Sequence, residues 1–272
     1  MAGAQDHERM NAPTYNEYAP AAALAPFVHC IWTFTAPSDE TPQRIAPDGR
    51  PELIVHYRKP YRERGATRDV VQPPVLFAGQ LTRPLTLVAQ GDAAVIGVRF
   101  HAFATRAFLG IDASAATDRR LDLASLHGDA AVNLRSDVRE QDDLRRCISI
   151  VETYVQGRFE RAEIDVDVRR ATQAVMEHRQ PVAPADISER QWQRRFKREV
   201  GVSPRMLQTI VRFRSVFDAI EHPQTTGWVE ASLAAGYFDQ PQMARDFRRF
   251  LGCTAREWAA QKAGLATALT GG

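Results

Sequence analysis

The chain has 272 residues, of which 44% are hydrophobic, and its formal net charge is +2. This length suggests about two domains with ordinary hydrophobic cores, and the small net charge excludes a uniform polycation. The cysteines Cys30, Cys147 and Cys253 form no CxxC pair, so neither a disulfide framework nor a structural zinc site is expected. Without an apolar run long enough to span a bilayer, the sequence predicts a cytoplasmic protein with no membrane partner.

The first half of the chain has the pattern of a β-rich domain. Residues 1–23 are polar and interrupted by proline, which indicates a loose leader. Short runs rich in β-branched and aromatic residues follow and alternate with turn residues such as those at 47–49. Strands are therefore predicted at 27–34, 52–57, 75–77, 85–88 and 94–100, and helices at 102–109, 122–126 and 142–159. Residues 24–160 are predicted to form a small antiparallel, barrel-like domain with C-terminal helices.

The second half reads as helical throughout. A charged stretch at 158–165 marks the domain boundary, and a helix is predicted at 166–178. Apolar residues then keep a helical period between Pro204 and Glu221. The sequence thus predicts an α+β protein in which an all-α domain spans 166–261 and a flexible tail spans 262–272.

A basic helical pattern occurs twice in this second half, 51 residues apart. Apolar residues recur at i, i+4 and i+8 in both copies, and a glycine suited to a left-handed helix cap follows each, at Gly201 and Gly252. Residues 188–214 carry eight basic and two acidic side chains, a net charge of +6. Two short helices with basic exposed faces indicate a pair of binding elements for a polyanion.

The second copy has the parts of a helix-turn-helix unit. Residues 228–235 predict a first helix, Gly236 a tight turn, and Tyr237 and Phe238 apolar anchors, while Asp239 is placed to cap the next helix. Arginine suits guanine and glutamine suits adenine in the major groove. The side chains predicted to meet DNA are Arg190, Gln193, Arg194 and Lys197 in the first copy, and Gln240, Gln242, Arg245 and Arg249 in the second.

Residues 187–205 and 234–252 resemble the DNA-binding domain of AraC/XylS-type bacterial transcription regulators. The resemblance implies two helix-turn-helix units on a shared long helix, which enter successive major grooves of one asymmetric site. It places base-reading positions at Arg190, Gln193, Arg194, Gln240, Pro241, Gln242 and Arg245, and Pro241 can offer only apolar contact. Through residues 45–55 and 97–100, the N-terminal part resembles more weakly the sensor domains of some of these regulators.

The first unit departs from the family pattern. The family places a short helix before the first recognition helix, but only residues 179–187 are free for it here, and they contain Pro181 and Pro184. Proline in a helix interior costs about 3 kcal/mol, so no helix is expected there. We therefore expect the first recognition helix to lack a packing partner and to contact phosphates more than bases.

The N-terminal domain has candidate ligand-binding residues on or beside its predicted strands: Asp48, Glu52, His56 and Arg99. The alternative is a purely structural role, in which Glu52 pairs with Arg99 and His56 is a core residue. A metal site is disfavoured because the close His-x-His pair of metal-binding barrels is absent. Without a Gly-rich phosphate loop, a Ser/His/Asp elbow or an HExxH motif, no catalytic residue and no cofactor are predicted.

These patterns together predict a sequence-specific transcription regulator and no enzyme activity. Double-stranded DNA is the predicted partner, with RNA polymerase, a small-molecule effector and a second copy of the chain as further candidates. The alternative is a ligand-binding or catalytic N-terminal module whose degenerate helical domain mediates protein interaction. Steep salt dependence of binding to duplex DNA distinguishes the two, because only phosphate contacts release counterions.

Overall fold

The computed structural model describes residues 14–37, 40–65, 67–160, 162–221, 232–233 and 235–258. Within them, the N-terminal part forms two antiparallel sheets, which confirms the α+β class but corrects the barrel-like prediction because the sheets do not close on each other. One has six strands in the order β1-β2-β9-β4-β7-β10 and the other has four in the order β3-β8-β5-β6. The strands are β1 Thr14–Tyr18, β2 Val28–Ala36, β3 Gln43–Ile45, β4 Glu52–His56, β5 Arg62–Glu63, β6 Val70–Val71, β7 Val75–Ala78, β8 Leu85–Val88, β9 Ala93–Phe100 and β10 Arg120–Asp122.

Most of the helices follow the strands in sequence, and several of them pack against one face of the larger sheet. They are α1 Thr105–Leu109, α2 Leu123–His127, α3 Asp129–Arg139, α4 Leu144–Phe159, α5 Val166–Met176, α6 Glu189–Val200, α7 Pro204–Glu221 and α8 Gln240–Leu251, with 3-10 turns at Ala102–Ala104 and Ala113–Ala116. Within the described part of the chain, no helix combines the length and apolarity needed to cross a bilayer.

The alternation of side chains along β4 divides the N-terminal part into two layers. Leu53 and Val55 point into the main core beneath the helices, whereas Ile54 packs with Tyr61 and Val95 in a second cluster on the opposite face. That opposite face looks toward the four-stranded sheet. The space between the two sheets is therefore available for a cavity.

The main core crosses the predicted domain boundary. Trp192, Phe196 and Val200 of α6 belong to the same buried cluster as Phe103 and Phe108 of the N-terminal part. The sequence predicted no helix between α5 and α6, and the structure has none there. The expectation of a loosely held first recognition helix is nevertheless wrong, because α1 and the two 3-10 turns pack against α6.

Helix α8, the second candidate recognition helix, has a smaller core of its own. Phe247, Phe250 and Leu251 of α8 pack with Phe213 and Phe217 of α7. The rings of Phe213 and Phe250 lie 5.0 Å apart. Helix α7 therefore contributes to both cores, as the shared helix of the predicted domain should.

Several elements differ from the sequence predictions. Residues 14–18, expected in the loose leader, form β1 and pair with β2. Helix α3 was not predicted, although its buried residues Ala131, Leu134 and Val138 follow a helical period. The short strands β3, β5, β6 and β10 were also missed. The predicted helix at 228–235 and the tail at 262–272 lie largely or wholly outside the described residues.

We predict that Gly97→Ala destabilises the N-terminal domain. The indole of Trp32 lies over Gly97, and an added Cβ would come within 2.0 Å of its Cε2 atom. Overpacking of this kind costs about 1–3 kcal/mol of unfolding free energy, measurable by urea denaturation. Gly157→Ala is the matched control, because a Cβ there meets nothing within 4 Å and favours helix α4. Equal stability of the two variants would contradict the packing described.

Candidate nucleic-acid interface and inter-sheet cavity

Helix α6 exposes the four side chains predicted for its reading face. It begins at a capping box of Ser188 and Gln191 and ends at Gly201, whose φ of 97° is left-handed. The apolar stripe of α6 is buried in the main core, while Arg190, Gln193, Arg194 and Lys197 are exposed. The side-chain amide of Gln193 donates to Glu189 at 2.9 Å.

One arginine of α6 anchors the helix and is not part of that face. The Arg195 guanidinium donates to both carboxylate oxygens of Asp165, at 2.6 and 2.8 Å, and to Asp167 at 3.0 Å. Burial alone would raise the pKa of Asp165, but hydrogen bonds from Arg195 and from the Val168 amide hold it below its usual value. Since Asp165 also caps α5, this pair fixes α6 to that helix.

Helix α8 repeats the arrangement of α6. Its cap residue Asp239 accepts from the Gln242 amide at 2.6 Å, and the Gln242 side chain accepts from the Phe238 amide at 3.2 Å. Gly252 ends the helix with a φ of 72°. Gln240, Pro241, Arg245 and Arg249 are exposed, and Gln242 is half-buried. The Arg249 Nε donates to the Thr82 carbonyl at 3.4 Å, so this side chain lies against the N-terminal part.

The prediction that Phe238 anchors the second unit is wrong. Its side chain is 92% exposed, whereas the neighbouring Tyr237 is 3% exposed. Tyr237 packs below Arg212, whose guanidinium lies 4.6 Å from the ring centre. Two adjacent aromatic residues in this turn point to different sides, and the composition of the pair did not reveal which one faces the core.

A cavity of about 720 Å³ lies between the two sheets and reaches α7. All four predicted ligand-binding residues line it. Glu52 accepts from Trp32 Nε1 at 3.0 Å and from Arg99 Nε at 2.9 Å, and Asp48 lies 3.8 Å from the same Arg99 nitrogen. The structure therefore brings Asp48, Glu52 and Arg99 into one polar cluster. Glu52 does pair with Arg99, as the structural alternative predicted.

The polar cluster is electrostatically coupled. Burial raises the pKa of the Glu52 carboxyl, with Arg99 acting in the opposite direction. Burial lowers the pKa of Arg99, but the carboxylates of Glu52 and Asp48 outweigh it and raise the value. The pair therefore keeps the guanidinium charged and leaves the Glu52 carboxyl easier to protonate than a solvated one.

His56 belongs to a different part of the cavity. It is 1% exposed, its Nε2 lies 3.2 Å from Gln72 Oε1, and its Nδ1 has no hydrogen-bond partner. Burial lowers the pKa of His56 to about 4, so the ring is neutral at pH 7. Among the described residues, no group of three histidine, cysteine or acidic side chains is placed to hold a metal ion.

Sequence reasoning missed the residues that close the cavity. Val211, Arg214 and Phe217 of α7 line it, although they lie far along the chain from the strands. Trp32 and Gln72 were missed as well. Of these residues, the sequence carried a signal only for Trp32, because the two-residue periods of β2 and β4 put Trp32 and Glu52 on the same side of the sheet.

The chain matches two protein families over separate regions. Residues 16–122 match the family described as "Domain of unknown function (DUF6597)", and residues 182–261 match the family described as "Helix-turn-helix domain". No protein with a curated description matches the chain significantly. The second match covers α6, α7 and α8 and therefore both candidate reading helices.

Several solved structures resemble the chain distantly. ToxT from Vibrio cholerae is 9% identical with a TM-score of 0.43, over 92% of this chain and 98% of that one. ToxT with bound unsaturated fatty acid is 8% identical with a TM-score of 0.44, over 84% and 93%. The AraC-like transcriptional activator CuxR is 12% identical with a TM-score of 0.33, over 91% and 99%. Because these identities and TM-scores are low, the identification of the two domains rests on the two family matches.

We predict that stability falls as pH falls from about 6.5 to about 4. Burial lowers the pKa of His56, His101 and His127 to about 4, so the folded chain binds fewer protons than the unfolded chain in this window. For His56, which is almost fully buried, protonation of the unfolded chain lowers the unfolding free energy by on the order of 1–2 kcal/mol between pH 7 and pH 5. Urea unfolding at pH 7 and pH 5 measures the loss. A pH slope that is unchanged in His56→Gln would contradict the role of His56.

Proposed function

We propose that this chain, a DNA-binding transcription regulator with a helix-turn-helix domain of the AraC type, reads bases with both α6 and α8. The observation that supports this is the repetition: each helix is capped at both ends, buries an apolar stripe and exposes a basic face. The contact of α6 with the N-terminal part supplies the packing that its own unit lacks. Both recognition helices therefore meet the requirement of a rigid base-reading surface.

The exposed side chains fall into two proposed roles. Arg190, Gln193 and Arg194 of α6 and Gln240, Gln242 and Arg245 of α8 lie near the helix beginnings and are proposed to contact base edges. Lys197 and Arg249 lie toward the helix ends and are proposed to contact phosphates, which position the protein without selecting a sequence. Residues 166–261 are the proposed extent of this domain.

We predict that Arg245→Ala weakens specific binding by about 1–3 kcal/mol and relaxes selection at one base position. The reason is the loss of a bidentate contact to guanine. The measurement is a base-by-base binding profile on a site selected from random duplex DNA. Lys197→Ala is the comparison: its affinity should fall equally for all sequences, and its log–log salt slope should fall by about 0.9. A uniform loss in Arg245→Ala would make Arg245 a phosphate contact instead.

We also propose that residues 24–160 sense a small-molecule effector in the inter-sheet cavity. Ligand sites are typically concave, mostly apolar and furnished with a few polar groups, and this cavity has Ile54, Leu76 and Val95 beside the polar cluster of Asp48, Glu52 and Arg99. Because α7 lines the same cavity, a bound ligand would touch the helix shared by both reading units.

RNA polymerase and a second copy of the chain are further proposed partners, and the cytoplasm is the proposed location.

We predict that filling the cavity abolishes ligand binding. Leu87 of β8 lines the cavity, and Leu87→Trp places an indole in its space. A compound library screened by thermal shift should give hits that raise the Tm of the natural chain but not that of Leu87→Trp. Leu126→Trp on α2, outside the cavity and 37% exposed, should keep the response. Equal shifts in both variants would place the ligand elsewhere.

A further inference from the structure

The N-terminal part makes hydrogen bonds to the ends of both recognition helices. Thr117 Oγ1 donates to the carbonyl of Gly201, the cap of α6, at 2.7 Å. Arg44 Nη1 donates to the carbonyl of Leu251, the last residue of α8, at 2.7 Å. The last carbonyls of a helix have no partner within it, so these donors satisfy groups that would otherwise need water. The two contacts fall at neighbouring positions of the repeated sequence pattern.

The two cap glycines meet the N-terminal part as well. A Cβ on Gly201 would lie 3.0 Å from Thr117 Oγ1 and 3.1 Å from the Ala113 carbonyl. A Cβ on Gly252 would lie 3.9 Å from Pro84 Cγ. Both glycines have positive φ. At Gly201 the missing Cβ also leaves room for Thr117 and Ala113 to approach closely, whereas Pro84 lies at ordinary van der Waals distance from Gly252.

The segments that hold the two helix ends are joined to each other. Asp118 accepts from the Thr82 amide at 2.7 Å and from the Thr82 hydroxyl at 2.6 Å. Thr82 in turn accepts from Arg249 of α8 through its carbonyl, while Thr117, next to Asp118, holds α6. Asp118 has a φ of 55°, a conformation uncommon for a non-glycine residue, and its hydrogen bonds keep it there. We call Arg44, Thr82, Pro84, Thr117 and Asp118 the clamp.

We infer that the clamp sets the separation and relative orientation of α6 and α8, so that Thr117 and Arg44 are positioning residues for DNA recognition. Two base-reading helices on one protein must match the spacing of two successive major grooves, about 34–36 Å apart. Within the described part of the C-terminal domain, helix α7 joins the two units, and the buried residues of α6 and α8 lie in separate clusters. The hydrogen bonds of the clamp connect α6 to α8 a second time, through the N-terminal part.

The inference rests on the proposed function, since it requires that both helices read bases. Neither Thr117 nor Arg44 belongs to the proposed reading face, so their loss leaves every DNA-contacting side chain in place. What changes is the tolerance for spacing. One added base pair moves the second half-site by about 3.4 Å and turns it by about 35°, a change that a rigid frame cannot follow.

The experiment measures affinity on duplexes whose half-sites are moved apart or together by one base pair, starting from the site that the full chain selects from random DNA. The natural chain should prefer its own spacing strongly. In Thr117→Val, which has the shape of threonine without the donor, the preference should fall by a factor on the order of two to ten, the worth of one net hydrogen bond. Thr117→Ser keeps the donor and should restore the preference.

Thr153→Val is the matched control, because the Thr153 hydroxyl also donates to a backbone carbonyl, at 2.9 Å, but on α4. It should leave the spacing preference unchanged. If Thr117→Val lowers affinity by the same factor at every spacing, the hydroxyl only stabilises the fold and the inference is overturned. If the natural chain selects a site with a single block of specified bases, α6 and α8 do not both read bases. The proposed function is then wrong on that point, and the inference fails with it.

Discussion

The apolar contact between α6 and the N-terminal part is the constraint on which the rest of the structure depends. A recognition helix needs a buried stripe before its opposite face can be presented to DNA. In this chain, Phe103 and Phe108 complete the core around Trp192 and Phe196, where prolines prevent the C-terminal domain from supplying a helix of its own. The exposed face of α6, which is proposed to read DNA, is therefore supported by a core whose two parts are distant in sequence, and its rigidity depends on the sheet and helices of the N-terminal part.

The sequence predicted the local features of this architecture well. Strand β8 was predicted with its observed bounds, and the cap glycines Gly201 and Gly252 both adopt the left-handed conformation that their position after an amphipathic helix indicated. Such features depend on neighbours in the chain. The two-residue strands β5 and β6 are too short to show a period, and β1 consists almost entirely of exposed residues, so none of the three showed an apolar period.

Features that depend on distant contacts could not be predicted. The burial of α6 against residues 102–116 has no signature in either segment, which is why the loss of a supporting helix was expected to loosen it. The cavity was foreseen only in part: the pairing of Glu52 with Arg99 follows from adjacent strands, whereas the approach of Arg214 and Phe217 depends on how α7 lies across the sheets. Phe238 shows the same limit at a single residue, since its aromatic character indicated burial and its position in the turn determined exposure.

The shared core also bears on how such a protein can evolve. Regulators are often regarded as modular, with a sensing domain that can be exchanged while the DNA-binding domain is kept. Here the boundary of the predicted domains passes through the buried cluster that contains both Phe108 and Trp192, so a recombination event at residues 158–165 would separate the two halves of one hydrophobic core. A new sensing domain would have to bring matching aromatic residues with it. The lineage of the N-terminal domain is thereby bound to that of the first recognition helix, and the two are expected to be inherited as one unit.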